Sequence, residues 1–115
     1  MERRRHQRFP VRFRSSFASV NIVNGTGDVL DLSIRGCKVD SDIEVRPGTN
    51  LMLTLVIPEL ESPIEIAVAG VRWSQGRAFG VEFHDMKEDD WKRFTSLIDR
   101  LEHGGEVTRE GTGGK

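Results

Sequence analysis

The first fourteen residues hold the densest group of side chains that could bind an anion. Arginines stand at positions 3, 4, 5, 8, 12 and 14, and Glu2 is the one acid, so the segment has a net charge of +5. Arg4 and Arg8 have an Arg-x3-Arg spacing, which in an extended or loosely turned arm lets two guanidinium groups reach both sides of a small polyanion. Guanidinium pairs bidentately with phosphate oxygens or with O6 and N7 of guanine. The alternative is a solvated basic terminus.

A second polar segment runs from Asp31 to Gly36 and reads Asp-Leu-Ser-Ile-Arg-Gly. Alternation along a strand places Leu32 and Ile34 in the core, which leaves Asp31 and the serine on the opposite face. The Asp31 carboxylate can accept hydrogen bonds from the N1–H and N2–H₂ edge of guanine, and the hydroxyl of Ser33 can donate to a phosphate or a base. Gly36 lets the backbone approach closely. The alternative is a turn capped by the aspartate and the serine.

Signals for catalysis or metal binding are weak in this sequence. His6, His84 and His103 have no metal-ligand spacing, so each is predicted to be a surface histidine. The single cysteine, Cys37, alternates with Val39 and is predicted to be a buried structural thiol. One cysteine excludes an internal disulfide and favours a reducing cytoplasm. With no phosphate loop, nucleophile elbow or paired-carboxylate motif, we expect no enzyme, no metal and no cofactor.

Period-two alternation of apolar residues predicts the strands that must position these segments. Turn signals rich in Gly, Pro and Asn separate the alternating sets, and residues 13–23, 28–33 and 37–43 also have strand character. Six or so short strands in this arrangement predict a small antiparallel barrel or sandwich. The clearest sets are Leu51, Leu53, Leu55 and Ile57; Ile64, Ile66 and Val68; and Phe79, Val81 and Phe83.

One helix follows the strands. Asp85 is its predicted N-cap, and its apolar stripe is expected to pack across a barrel opening or edge, with a partner surface as the alternative. Trp91 belongs to this stripe and is predicted to lie in the core. Residues 103–115 are rich in glycine and lack apolar periodicity, so they are predicted to be disordered. The stripe consists of Trp91, Phe94, Leu97, Ile98 and Leu101.

Length and charge distribution indicate one domain with a basic arm on an acidic body. The chain has 115 residues, the size of a single domain. Its longest apolar run, at residues 51–57, is interrupted by Thr54 and is too short to span a membrane. The residues after position 14 have a net charge of −6. A local basic arm favours a local anionic partner over coating of a nucleic-acid polymer.

The two polar segments together make the chain resemble the PilZ domain, a bacterial family that binds the second messenger cyclic di-GMP. The motifs are Arg-x3-Arg at residues 4–8 and Asp-x-Ser-x-x-Gly at residues 31–36; the hairpin at 73–83 also matches. The resemblance covers residues 2–102 and implies a mainly β fold, a six-stranded antiparallel barrel with a C-terminal helix and a flexible N-terminal arm. It divides the chain into an arm at 1–12, barrel and helix at 13–102, and a tail at 103–115.

The resemblance also implies a binding site. Arg4 and Arg8 are expected to hold the phosphates and guanines. Asp31, Ser33 and Gly36 are expected to read a guanine from the barrel surface.

Three further residues are candidates for ligand contact. Arg3 precedes the motif, where a basic residue is associated in the family with a stacked dimer of the ligand, so we expect two molecules per chain. Arg5 either adds a contact or is solvated. Strand parity puts Trp73 on the outer surface unless Gly70 carries a bulge. An exposed indole there could stack on a base. The alternative is that Trp73 only packs against the barrel.

The function implied is that of a non-enzymatic cyclic di-GMP receptor and adaptor. Ligand binding is expected to order the arm across the barrel and to pass the signal to a separate effector protein, without membrane insertion or a nucleic-acid polymer as partner. One alternative is a small β-barrel that binds single-stranded nucleic acid, which the acidic body disfavours. The other is a PilZ interaction module independent of nucleotide, which the intact motifs disfavour.

Overall fold

The computed structural model describes residues 7–104, which form six β-strands followed by one α-helix. Residues 1–6 and 105–115 lie outside the described part, and with them lie Arg3, Arg4, Arg5, His6 and most of the predicted tail. The strands are β1 (Phe9–Ala18), β2 (Gly25–Leu32), β3 (Gly36–Asp40), β4 (Asn50–Val56), β5 (Ile64–Gln75) and β6 (Ala78–Met86), and the helix is α1 (Glu88–Glu102).

The strands close into a barrel in the order β1-β2-β3-β6-β5-β4, and each neighbouring pair is antiparallel. Closure gives every strand of this barrel a partner on both sides. The predicted mainly β fold, a six-stranded antiparallel barrel with a C-terminal helix, is confirmed. The order also places β6 between β3 and β5, and this decides which side chains meet on the outer surface.

Alternating side chains from the strands fill the interior of the barrel. In β1 every second residue from Phe9 to Phe17 is buried. In β4 the buried set is Leu51, Leu53 and Leu55, as predicted. Each large apolar side chain contributes about 1.5–3 kcal/mol when it is fully buried. A slip of one residue would expose a whole set, so burial holds each strand in register.

The alternation in β5 breaks at Val68, where the prediction was wrong. Alternation predicts that Val68 points inward with the two isoleucines before it, but it is only half-buried, whereas Ala69 and Val71 are buried. The pairing of β5 with β6 shifts on both sides of Val68, and an extra residue in a strand moves the following side chains to the opposite face. A third shift, between Val71 and Trp73, turns Trp73 to the outer surface.

The first strand begins at Phe9, inside the segment that the sequence assigns to the arm at residues 1–12. Phe9 pairs with Leu32 of β2, and both Phe9 and Val11 are buried. Burial of these two side chains therefore extends the strand past the basic residues beside them. The strand ends at Ala18 instead of running to position 23, and Val20 in the connection to β2 is almost fully exposed.

Helix α1 packs its apolar stripe against the barrel as predicted. Phe94 lies edge-on to Phe83 of β6, with ring centroids 5.4 Å apart. Trp91 departs from the prediction: it is 42% exposed and lies in the first turn of the helix, with its ring centroid 6.2 Å from that of Phe94. The buried residues of the stripe are Phe94, Leu97, Ile98 and Leu101.

The helix begins later than the sequence predicts. Asp85 is not its N-cap, because β6 continues to Met86 and the capping position falls on Lys87, which makes no side-chain capping bond. Acidic residues in the first turn still favour the positive end of the helix dipole. Within residues 7–104, no helix is both long and apolar enough to cross a membrane.

Candidate functional site

A cavity of about 720 Å³ opens on the outer surface of the barrel across four strands. Its lining includes Asp31 from β2, Lys38 from β3, Glu82 from β6 and Trp73 from β5, together with Arg8 from just before β1. The barrel order explains this convergence, since β2, β3, β6 and β5 are consecutive neighbours. Small-molecule sites typically have volumes of about 300–1,000 Å³, so the cavity is large enough for a nucleotide-sized ligand.

The cavity brings together the two polar segments that the sequence singles out. Of the eight predicted binding residues, Arg3, Arg4 and Arg5 lie outside the described residues. The remaining five all contribute to the lining of this one cavity. They are Arg8, Asp31, Ser33, Gly36 and Trp73.

Arg8 and Asp31 form a direct ion pair between the two segments. Nη1 of Arg8 lies 2.7 Å from Oδ1 of Asp31, a short charge-assisted hydrogen bond. The aspartate side chain is 23% exposed and the arginine 54% exposed, so the carboxylate is the better shielded partner. A ligand that uses both side chains must share or replace this pair.

Ser33 is placed differently from the prediction. The sequence puts its hydroxyl on the outer face with Asp31, but Ser33 is 2% exposed. Its Oγ accepts hydrogen bonds from the backbone N–H groups of Arg35 and Gly36, each at 3.2 Å, and donates to the Gly36 carbonyl at 3.3 Å. Strand alternation ends with β2 at Leu32, so it cannot be extended to Ser33 in the turn. The hydroxyl stabilises the turn that borders the cavity.

Gly36 is required where β3 runs against β6. A Cβ atom at this position would lie 2.0 Å from the carbonyl oxygen of Val81, which is shorter than any tolerated contact. The close approach at Gly36 is therefore to the backbone of β6, and its predicted contact with a ligand stays a prediction. Gly36 also pairs with Glu82 in the sheet, so it sets the distance between the turn and the β6 side of the cavity.

Trp73 lies on the outer surface, the predicted side, and is 40% exposed, although Ala69 and Val71, which share its parity, are buried. Its indole covers Gly80 of β6, where an added Cβ would lie 2.2 Å from Nε1. The absence of a side chain at Gly80 therefore lets the indole lie close against the strand at the cavity wall. The exposed part of the ring is available as a stacking surface.

Four charged residues in the cavity were not predicted as site residues: Arg35, Lys38, Arg72 and Glu82. Arg35 lies within the Asp-x-Ser-x-x-Gly segment, so its position in the sequence could have identified it as a site residue. Arg72 and Glu82 carry no such signal, because they meet only through the pairing of β5 with β6 and the bulges in β5.

Glu82 links two of these cations. Its Oε2 accepts a hydrogen bond from Nη2 of Arg35 at 2.6 Å, and its Oε1 accepts one from Nη1 of Arg72. Nε2 of His84 lies 3.6 Å from Oε1. The hydrogen bond from Arg35 and the positive charge of Arg72 hold the pKa of Glu82 below its ordinary value. Glu82 is therefore a charged acceptor shared by both guanidinium groups.

The charge balance of the cavity is positive. Its described lining contains four cationic side chains and two carboxylates, which gives a net charge of +2. Each carboxylate is already paired with arginine, Asp31 with Arg8 and Glu82 with Arg35 and Arg72. The cavity therefore favours an anion over a neutral or cationic molecule.

Cys37 and the histidines agree with their predicted structural roles. Cys37 is fully buried, and this burial raises the pKa of its thiol far above the usual range. His84 and His103 are exposed. Within the described residues, no group of three or more His, Cys, Asp or Glu side chains is arranged to hold a metal ion.

Comparisons with known proteins match this architecture to one family. Residues 2–100 match the family model described as the PilZ domain. The solved structure of the Bacillus subtilis inhibitor of motility (MotI/DgrA) has a TM-score of 0.69 at 19% identity, over 90% of this chain and 53% of that chain. This chain thus spans about half the length of that protein.

A second similar structure is the PilZ domain of CeSA from a cellulose-synthesizing bacterium. Its TM-score is 0.64 at 17% identity, over 84% of this chain and 99% of that chain. At such identities both similarities show the fold. No curated protein sequence matches the chain significantly.

Proposed function

The chain belongs to the PilZ domain family, and from this membership we propose that it is a cyclic di-GMP receptor that signals to a separate protein. PilZ domains are binding and adaptor modules for this bacterial second messenger, and they interact with effector proteins. In this proposal the chain acts in the cytoplasm, where the messenger is made, and catalyses nothing.

One observation carries the proposal: Arg8 and Asp31, one from each motif, meet at 2.7 Å in the wall of a cavity of about 720 Å³. A guanidinium next to a carboxylate offers donors for a phosphate or for O6 and N7 of guanine, beside an acceptor for N1–H and N2–H₂. The exposed indole of Trp73 adds a surface on which a base can stack.

Electrostatics support the same ligand. Cyclic di-GMP carries two phosphodiester charges, and the described lining of the cavity has a net charge of +2. Residues 1–6 add three more arginines in the sequence. We propose that these residues bring Arg4 to the phosphates and that binding orders them over the barrel face. The ordered arm and the nucleotide then form the surface that an effector protein recognises.

The proposal is tested by calorimetric titration with cyclic di-GMP, with a single-stranded oligonucleotide as a second titrant. We expect saturable binding of cyclic di-GMP and none of the oligonucleotide. Arg8→Ala should weaken binding by about tenfold or more, because a hydrogen bond to a charged group contributes about 1.5–3 kcal/mol.

Arg14→Ala is the matched control, since Arg14 is an exposed arginine of β1 that pairs with Asp28 away from the cavity. It should bind like the unaltered protein. Absence of any heat or chemical-shift change with cyclic di-GMP would contradict the proposal. Saturable binding of the oligonucleotide instead would favour the nucleic-acid-binding alternative.

A further inference from the structure

We infer that Arg35 and Arg72, held together by Glu82, form an anion-binding subsite that receives a phosphodiester group of the ligand. The inference rests on the proposed function, because it identifies further residues of the same cavity. It concerns the β5–β6 side of the cavity, whereas Arg8 and Asp31 lie on its β1–β2 side.

The barrel order brings these three side chains together. Arg35 lies in the turn before β3, Glu82 in β6 and Arg72 in β5, and β6 runs between the other two strands. Glu82 pairs with Gly36 on one side and with Gly70 on the other. Its carboxylate can therefore reach Arg35 in the turn before β3 on one side and Arg72 of β5 on the other.

The hydrogen bonds leave donors of both arginines available. The contact with Glu82 uses Nη2 of Arg35, at 2.6 Å, and Nη1 of Arg72, one on each carboxylate oxygen. A guanidinium group has five N–H donors, so each arginine keeps several that a phosphate could accept. The arginine side chains are 59% and 65% exposed, against 22% for Glu82. The two arginine side chains are thus the more exposed part of the cluster, and the Glu82 carboxylate is the more buried part.

The net charge of the cluster distinguishes it from a simple surface ion pair. Two cations share one carboxylate, so the group keeps a net positive charge, and Glu82 stays ionised because Arg35 and Arg72 lower its pKa. Exposed ion pairs contribute little to stability in general, so stability alone does not account for a cluster inside the cavity wall. Each guanidinium can pair bidentately with phosphate oxygens, and here one carboxylate binds two of them.

Arg72→Gln is the first test, measured by calorimetric titration with cyclic di-GMP. We expect about a tenfold or larger loss of affinity, with a thermal transition close to that of the unaltered protein. Arg35→Gln should behave in the same way and provides a second variant. The control is Arg77→Gln, which removes the same charge from an exposed arginine that pairs with Asp40 and Asp42 outside the cavity. Its affinity should stay within twofold of the original.

Glu82 is a positioning residue in this inference. Glu82→Gln tests that role, because the sign of the change in affinity differs between the two possible roles. Removal of a negative charge from the cavity should by itself strengthen binding of an anion. Glutamine keeps one acceptor oxygen and has no charge, so it holds the two guanidinium groups less firmly, and binding must then immobilise them at a cost in affinity. We expect a loss of affinity of about threefold or more. Tighter binding by Glu82→Gln would show that Glu82 competes with the ligand, and would overturn its positioning role.

Titration with pyrophosphate separates this inference from the proposed function. The arginine Nε–Hε resonances of the protein are followed by NMR. Those of Arg35 and Arg72 should shift on titration, and after Glu82→Gln the same shifts should require a higher pyrophosphate concentration. If cyclic di-GMP fails to bind but these resonances shift, the subsite stands and the proposed function fails. If cyclic di-GMP binds equally to the protein and to Arg72→Gln, the subsite is wrong and the proposed function stands. If neither probe binds, both are wrong.

Discussion

The Arg8–Asp31 pair is weak enough to be rearranged by a ligand. An exposed ion pair contributes about 0–1 kcal/mol, because solvent screens the charges and two long side chains lose freedom. Hydrogen bonds to charged ligand groups contribute about 1.5–3 kcal/mol each. Since Arg8 is more than half exposed, its guanidinium can turn to a phosphate or a guanine at little cost. Asp31 can then accept from the guanine edge in its place.

Asp31→Ala should reduce the preference for guanine as well as the affinity. Adenine has an acceptor at N1 and lacks the 2-amino group, so it cannot donate to the carboxylate as guanine does. A polar group left unpaired costs about 1–3 kcal/mol, so cyclic di-AMP should bind far more weakly than cyclic di-GMP. Titration of both nucleotides measures the ratio of the two dissociation constants before and after the substitution.

Arg8→Ala is the comparison variant for the ratio of the cyclic di-AMP and cyclic di-GMP dissociation constants. It should lower the affinity for both nucleotides through the phosphates and change the ratio less than Asp31→Ala does. If Asp31 serves only the local structure, its removal lowers the unfolding free energy by about 0.5–2 kcal/mol. The ratio of affinities then stays the same, and Asp31 would have to be removed from the site.

Glu82 should contribute to stability in a pH-dependent way. Its pKa in the folded protein lies below the ordinary value of 4.5, chiefly because of the hydrogen bond from Arg35. The stabilisation is therefore present above pH 4.5 and is lost as the pH falls through the lower folded value. The difference in unfolding free energy between the protein and Glu82→Gln should shrink in that acidic range, as measured by urea unfolding across pH. Glu44→Gln, at an exposed position in the β3–β4 connection, is the control, and an equal acid response of both variants would contradict the prediction.

Contact between β3 and β6 positions the turn that carries Arg35. Gly36 pairs with Glu82, and the backbone N–H of Phe83 donates to the carbonyl of Arg35 at 2.8 Å. Phe83 in turn packs edge-on against Phe94 of α1. The cavity wall and the buried face of the helix therefore share strand β6.

Gly36→Ala should destabilise the barrel at this contact. The added Cβ would lie 2.0 Å from the Val81 carbonyl oxygen, so the two backbones must separate. Overpacking of this kind costs about 1–3 kcal/mol. Thermal or urea unfolding should show the loss. Ser16→Ala, at an exposed position of β1, should leave stability nearly unchanged, and an unaltered transition for Gly36→Ala would show that the pairing is looser than described.

The distribution of charge over the whole chain suits a small, highly charged ligand. The N-terminal fourteen residues have a net charge of +5 and the other residues −6. The negative charges of the body would repel a long polyanion that extends beyond the arm and the cavity. A compact cyclic dinucleotide would contact only the basic region. Screening by salt limits such effects to about 8 Å at physiological ionic strength, so the local charge decides which ligand binds.

The chain is expected to bind two molecules of cyclic di-GMP. Arg3, Arg4 and Arg8 offer three guanidinium groups, enough to hold the phosphates of a stacked pair of ligands. Calorimetric titration should therefore saturate at two ligands per chain. Arg3→Leu should lower the ratio to one, because it removes one of the three guanidinium groups that would hold the second molecule. Saturation of the unaltered protein at one ligand would exclude the stacked dimer and leave the family membership untouched.

Local sequence patterns were sufficient to predict the fold class, the buried Cys37 and the two segments that border the cavity. Alternation in Leu51–Ile57 requires only that neighbouring side chains point to opposite faces, which every strand obeys. The spacing of Arg4 and Arg8 and of Asp31 and Gly36 identifies the family because those residues are close in sequence. Such features depend on few residues, and they can be read without knowledge of what packs beside them.

Tertiary structure alone decided which side chains surround the cavity. Ser33 is buried because β2 ends one residue before it, and Trp73 is exposed while Val71 is buried because the pairing of β5 with β6 shifts between them. Arg35 meets Glu82 because closure of the barrel places β3 beside β6, and Arg72 meets it because the bulges in β5 set the register of the β5–β6 hairpin. A bulge adds one residue without changing the local composition, and strand order depends on pairing between distant segments. Neither is encoded in a periodic pattern, since both are set by how the entire barrel closes around its core.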